Sequence, residues 1–171
     1  EFREELDGQI YVPVEHFDSV SPRYTEKFGK KFVNDPKLVF QGPQCLQWTS
    51  TKDRKASALQ FENVPRNWGE YSYIEMWVNV TIPPVGAELV VFSGETPSKA
   101  KVKTVKKKKS TAATFFHCQL KFPGSPGQWQ RVRVLISELQ GQGGPSLDRV
   151  TSCQIQVPGG AQFNLLVDKV S

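Results

Sequence analysis

Apolar and polar residues alternate one by one through much of this chain, and that period limits what it can fold into. In "YIEMWVNVTI", Ile74, Met76, Val78, Val80 and Ile82 share one parity, while Glu75, Trp77, Asn79 and Thr81 share the other. Successive side chains of a strand point to opposite faces, so the segment reads as a half-buried strand. "QWQRVRVLI" sets Val132, Val134 and Ile136 against Trp129, Arg131 and Arg133. "TSCQIQV" sets Cys153, Ile155 and Val157 against Ser152, Gln154 and Gln156. "FFHCQLKF" turns Phe116, Cys118, Leu120 and Phe122 inward and Phe115, His117, Gln119 and Lys121 outward. Met76, Val78, Val134, Ile155 and Leu165 are the expected core markers. No segment sustains a helical period, and "ISELQGQ" has room for one turn before its glycines end it.

Further strands are expected in "QIYVPV", "KLVF", "CLQW", "SALQFENV", "AELVVF" and "FNLLVDKV". Between them lie "NDP", "QGP", "TIPPVGAE", "SGETP", "FPGSPGQ" and "GQGGPS", whose prolines, glycines and Asx residues suit reversals. About ten short strands at regular spacing predict an all-β, antiparallel two-sheet sandwich such as a jelly roll. The 171 residues suit a single domain spanning 1–171. A chain of roughly 150 residues already buries about two-thirds of its unfolded surface. There is no internal repeat. No apolar run approaches the roughly 20 residues that span a bilayer. The opening "EFREELDG" is charged and has no signal-peptide pattern, so it reads as an internal boundary or a cloning junction. The chain is expected to be one module of a larger protein.

The three cysteines, Cys45, Cys118 and Cys153, lack C-x-x-C spacing, and their odd number leaves at least one thiol unpaired. Three small buried hydrophobes is the favoured reading. A single bridge, for example Cys118 to Cys153, is the alternative.

The chemistry of catalysis is poorly represented. His16 and His117 are the only histidines, and neither sits in a nucleophile or metal motif. There is no G-x-S-x-G elbow, no phosphate loop and no clustered Cys and His set for zinc. A binding module is therefore a better reading than an enzyme. Candidate ligand-binding residues are those on the outward faces: Trp77, Asn79, His117, Gln119, Arg131 and Arg133. An indole offers a flat apolar platform to sugar C–H groups, while Asn, Gln and Arg satisfy hydroxyls. Arg131 and Arg133 can also fork onto carboxylates or sulfates. Burial of Trp77 beneath a loop is the competing reading. "NVT" at Asn79 matches a glycosylation acceptor, although its mid-strand position counts against that.

"TVKKKKSTAATFFHCQLKF" carries the strongest local charge. Seven lysines fall within residues 99–109, and the whole chain is +5. Lys101 and Lys103 share a parity with Lys99, but Lys106, Lys107, Lys108 and Lys109 are contiguous and suit an exposed hairpin tip. Solvation and protection of a strand edge account for such a run. A polyanion contact through these lysines is the rival, and it would be sensitive to salt. A nuclear-localisation run is formally compatible. Aromatic interleaving is missing, which argues against nucleic acid.

Several segments together resemble the galactose-binding-like jelly rolls. "NWGEYSYIEMWVNV" is similar to their strand in which Trp and Tyr precede I-x-x-W-V. "GQWQRVRVLISEL" is similar to G-x-W-x-x-V-x-I-x-x-S-x-L, and "LDRVTSCQIQVPGGAQFNLLVDKV" to their closing pair of strands. "HFDS" and "QCLQWTS" resemble F-E-S and S-L-x-W segments of the same class. The class includes carbohydrate-binding modules, the N-terminal domains of family 8 polysaccharide lyases and domains of the complex I intermediate-associated type. The resemblance implies a non-catalytic carbohydrate-binding module, with acidic glycans as one ligand class. Its alternative is a protein-interaction or assembly domain. It also implies a structural Ca2+ near the first and last strands, with Asp168, Glu15 and Asp18 as ligands. An extracellular setting is slightly favoured over an intracellular one.

Overall fold

A computed structural model describes residues 4–6, 9–18, 29–95 and 114–171. A short hairpin pairs β1 (Glu4–Leu6) with β2 (Gln9–Tyr11). The remaining strands are β3 (Lys30–Val33), β4 (Cys45–Ser50), β5 (Ser57–Phe61), β6 (Tyr73–Ile82), β7 (Glu88–Glu95), β8 (Phe115–Gln119), β9 (Trp129–Leu135), β10 (Gln140–Gln142), β11 (Pro145–Val157) and β12 (Phe163–Val170). They form two five-stranded antiparallel sheets. The first runs in the order β3-β4-β12-β6-β9, and the second β10-β8-β7-β11-β5. The expected two-sheet sandwich is therefore present. Trp68–Glu70 and Ile136–Glu138 each make one 3-10 turn, the second of them inside "ISELQGQ".

Alternation explains the core. Met76, Val78, Val134, Ile155 and Leu165 are all buried, as their parity requires. Leu59, Leu89 and Val91 lie beside Ile155 on the second sheet and meet the first-sheet residues across the core. Trp48 is fully buried, with its indole N–H donating to Ser57 Oγ at 2.9 Å and Phe163 edge-on at 5.2 Å. The bond satisfies the one polar atom of a large ring that otherwise contributes apolar area.

One expected strand is not a strand. "KLVF" forms a turn and bend, and the edge strand is "KKFV" at Lys30–Val33. Asp35 accounts for the difference. Its carboxylate accepts the Lys37 N–H at 3.0 Å, and its carbonyl accepts the N–H groups of Leu38 and Val39. That local Asx turn outcompetes the β propensity of the residues behind it.

All three cysteines are free thiols. Cys118 lies on β8 and Cys153 on β11, with β7 between them. Two inter-strand spacings amount to roughly 10 Å, beyond the Cα reach of about 7 Å for a disulfide. Among the described residues, no helix is long and apolar enough to cross a membrane.

Candidate functional site: the glutamine face of the second sheet

The ligand candidates do not share one surface. β6 and β9 pair in the first sheet, which places Trp77, Asn79, Arg131 and Arg133 on its outer face. β8 pairs with β7 in the second sheet, so His117 and Gln119 face the opposite side of the molecule.

On the first face, polar groups already have internal partners. Glu75 is buried, and its Oε2 accepts from Arg133 Nε at 2.6 Å while Arg131 Nε lies 3.7 Å away. The Arg133 guanidinium also sits 4.4 Å from the Tyr73 ring centroid. Asn79 is buried, and its Nδ2 donates to the Gly127 carbonyl at 3.2 Å. The Trp77 ring is covered on one side by Phe40, with centroids 4.2 Å apart and 18° between planes. Trp129 joins them, its centroid 5.5 Å from that of Phe40. Loop cover over Trp77, the competing reading from sequence, is what this stack provides.

Asp168 belongs to the same covered side. Its Oδ2 accepts the Gln41 N–H at 3.0 Å and its Oδ1 accepts the Lys169 N–H at 2.8 Å. Burial pushes its carboxyl up to about 6 against the pull of these amides, and Asp18 adds to the rise. The Asp18 carboxylate packs on Gly42, whose φ of +75° favours glycine there. Glu15 bridges to Val170, and its Oε1 accepts the Phe17 N–H at 2.8 Å. Phe17 and Lys169 hold positive φ at 59° and 42°, in a region that costs an L-residue roughly 1–2 kcal/mol. Strain is therefore concentrated where the 9–18 segment meets the last strand. The three acidic residues expected to hold calcium are gathered at one corner. Calcium takes six to eight oxygens. Among the described residues, no three acidic, His or Cys side chains converge into a metal-holding group. Side chains alone therefore fit a calcium ion only in part, and main-chain carbonyls or water would have to complete the set.

The outer face of the second sheet carries a second set of polar groups linked to one another. Gln154 and Gln156 stand two apart on β11 and so share a side. Gln154 Nε2 donates to Gln156 Oε1 at 3.1 Å, and Gln156 Nε2 donates to Glu88 Oε2 at 3.3 Å. The other Glu88 oxygen lies 3.9 Å from His117 Nδ1. These contacts cross β11, β7 and β8 in one line. Val90 lies among these groups, opposite both Gln154 and His117, and is only 3% exposed. One pair further along, Phe92 faces Phe115, and the Phe115 and His117 rings are 5.9 Å apart at 59°. Gln60 extends the row on β5 beside Gln154, and Gln140 extends it on β10 beside His117. The result is a row of amides, a carboxylate and an imidazole over the buried Val90, with half-buried phenyl rings at one end. Such a surface can meet hydroxyls as both donor and acceptor and offer ring faces to C–H groups.

Glu88, Phe92, Phe115 and Gln60 were not among the sequence candidates. Gln154 and Gln156 were visible as outward residues of "TSCQIQV", but the strand they face was not. The expected contacts of Lys101, Lys103, Lys106, Lys107, Lys108 and Lys109 lie outside the described residues. By connectivity, that segment joins Glu95 of β7 to Thr114 before β8.

No protein-family model matches the chain, and no curated protein matches it in sequence. Solved structures do share its fold. One is a family 11 carbohydrate-binding module from Clostridium thermocellum in complex with a β-1,3-1,4-mixed-linked tetrasaccharide, at TM-score 0.55 and 8% identity, covering 82% of this chain and 79% of that one. Another is the family 30 carbohydrate-binding module of a cellulosomal cellulase of Clostridium thermocellum, at TM-score 0.55 and 11% identity, covering 94% of this chain and 92% of that one. An agarase matches at TM-score 0.54 and 10% identity over 94% of this chain, which spans only 24% of the agarase. The chain thus has the jelly-roll sandwich fold of such modules.

Proposed function

We propose that the chain is a non-catalytic carbohydrate-binding module whose ligand lies across the outer face of β5, β11, β7 and β8. The observation that carries this reading is the Gln154–Gln156–Glu88–His117 line around Val90, with Phe92 and Phe115 at its end. Shared fold with carbohydrate-binding modules supports it. The finer reading is an acidic glycan, supported by the seven lysines of residues 99–109 in the connection between β7 and β8. An extracellular setting belongs to the same reading. A structural calcium at the Asp168 corner, with Asp18 and Glu15, is a subsidiary proposal.

The test is a glycan array followed by calorimetry on the best ligand, with Gln156→Ala and Phe115→Ala compared with Trp77→Ala. Loss of binding in the first two and retention in the third is expected. Loss only in Trp77→Ala would move the site to the first sheet. No binding across the array would favour the protein-assembly reading instead.

A further inference from the structure

The glutamine face does not end at its phenyl rings. Glu88, Val90 and Phe92 alternate outward along β7, and Gly94 takes the next outward position. Gly94 has no side chain there, and Arg149 of β11 occupies the space. Its Cδ and Cβ lie 3.5 and 3.6 Å from where a Cβ on Gly94 would stand, which is ordinary packing contact. β11 is irregular at this point. Pro145 pairs with Glu95, Val150 with Ser93 and Ser152 with Phe92, so residues 146–149 bulge out between those pairs. A bulge of this kind re-aims side chains. Val150 turns into the core and is buried, so Arg149 before it turns outward, half-buried, with its stem on the bare Gly94 backbone.

The two ends of the face therefore differ in charge. Glu88 stands at one end, with one oxygen on Gln156 and the other near His117. Arg149 stands at the other, beyond the Phe92–Phe115 pair. Gly94 is six positions past Glu88, and strand rise makes that roughly 20 Å. The separation exceeds two Debye lengths of about 8 Å each at physiological ionic strength, so neither charge cancels the other at its own end. Asp148, the neighbour of Arg149, has its carboxylate turned to the Ser146 hydroxyl. β7 ends at Glu95, so the lysine-bearing connection leaves the sheet from the Arg149 end.

We propose that Arg149 is the acid-reading residue of this face. The ligand lays neutral sugars over the Gln154–Gln156–Glu88 row and sets one anionic group, a carboxylate or a sulfate, on the Arg149 guanidinium beyond the phenyl rings. This rests on the glutamine face being the glycan site. A guanidinium carries five N–H donors in a fixed fork, which matches two oxygens of one anion and serves more than one partner at a time. Packing of the stem on Gly94 reduces the rotamer freedom left to lose on binding. Glu88 repels an anion at its own end, and that repulsion fixes the direction in which the ligand runs. The acidic character of the ligand is thus one-ended, not spread along its length.

The test is calorimetry at physiological salt with the best neutral oligosaccharide of the glycan array and with derivatives of it carrying one carboxylate or one sulfate at either end. Charge at one end should tighten binding about tenfold over the neutral parent, as expected for a hydrogen bond to a charged group. Charge at the other end, which lies against Glu88, should bring no gain. The series that shows the gain tells carboxylate from sulfate. Arg149→Gln should remove the gain and leave the affinity for the neutral parent unchanged, which also shows that the variant is folded. Arg149→Lys should keep part of the gain, because it retains the charge and loses the fork. The proposal is overturned if no end-charged derivative binds more tightly than the neutral parent, or if Arg149→Gln keeps the gain. It is equally overturned if Arg149→Gln weakens neutral and charged ligands alike, since the arginine would then be structural. The glutamine-face reading fails by a different result, neutral affinity surviving both Gln156→Ala and Phe115→Ala, and the role of Arg149 falls with it.

Discussion

Phe40 lies flat on Trp77, with ring centroids 4.2 Å apart, although 37 residues separate them. The contact closes the loop after the Asp35 turn over the first sheet and brings the Gln41 N–H onto Asp168. Phe40→Ala should therefore destabilise the protein by about 2 kcal/mol, combining lost apolar burial with the lost ring pair. It should leave glycan affinity unchanged. Urea denaturation and calorimetry on the same variant separate the two effects. A stable variant with lost binding would show that the stack is part of a ligand platform.

Glu75 distinguishes its two arginines. It is only 5% exposed and bonds Arg133 at 2.6 Å, while Arg131 stands 3.7 Å away and is the more exposed partner. Arg133→Ala leaves a buried carboxylate short of its main partner and should cost about 2–3 kcal/mol. Arg131→Ala should cost about 0–1 kcal/mol, as exposed ion pairs do. Equal losses in chemical denaturation would contradict this asymmetry.

The core was legible because period-two alternation and one buried face are local properties. Parity alone put Met76, Val78, Val134 and Ile155 inside. The site was less legible because it depends on which strands become neighbours. His117 and Trp77 both stood on outward faces, but β8 joins β7 while β6 joins β9, so they end on opposite sides of the molecule. Gln156 meets Glu88 across 68 residues of sequence, and no local pattern encodes that contact. "KLVF" was misread because a turn anchored by Asp35 overrides strand propensity. Phe40, just after that turn, is the residue that stacks on Trp77.

Thiol reactivity should rank by burial. Burial pushes the thiols of Cys45 and Cys153 up to about 12, with Asp168 adding to the rise at Cys45. At pH 8 a thiol with such a pKa is only about one part in ten thousand thiolate, the reactive form. Cys118 is half-buried, and burial raises its thiol too. A disulfide reagent should label Cys118 first in the native protein and all three only after unfolding. Mass spectrometry of the labelled peptides identifies the order. Rapid native labelling of Cys153 would contradict its place in the core.

Calcium should act on stability if the Asp168 corner holds it. Asp168 and Asp18 repel each other, and burial penalises the Asp168 charge. A cation would relieve both costs, and a ligand that binds only the folded state raises its stability by mass action. Millimolar Ca2+ should raise the melting midpoint by several degrees relative to EGTA, and Asp18→Asn should remove most of that gain. A midpoint insensitive to calcium would leave the backbone amides of Phe40, Gln41 and Lys169 as the counterweight to the Asp168 charge.

Charge and specificity should separate on the glutamine face. Amides and phenyl rings discriminate by shape and hydrogen bonding, which salt screens little. Lysines act through longer-range attraction, which fades over a Debye length of about 8 Å at physiological ionic strength. Ordering each long side chain also costs up to about 2 kcal/mol of rotamer freedom, so they should contribute attraction more than fixed contacts. Replacing Lys106, Lys107, Lys108 and Lys109 with serine should weaken heparin binding and flatten its dependence on salt. It should leave affinity for the best neutral glycan within a factor of about two. Gln156→Ala should do the reverse, lowering neutral-glycan affinity about tenfold for one lost hydrogen-bonding side chain and leaving the salt slope of heparin binding intact. Calorimetry and heparin chromatography at several salt concentrations measure both. If the serine variant loses neutral and acidic ligands alike, the lysines and the glutamine face are one site and the separation fails.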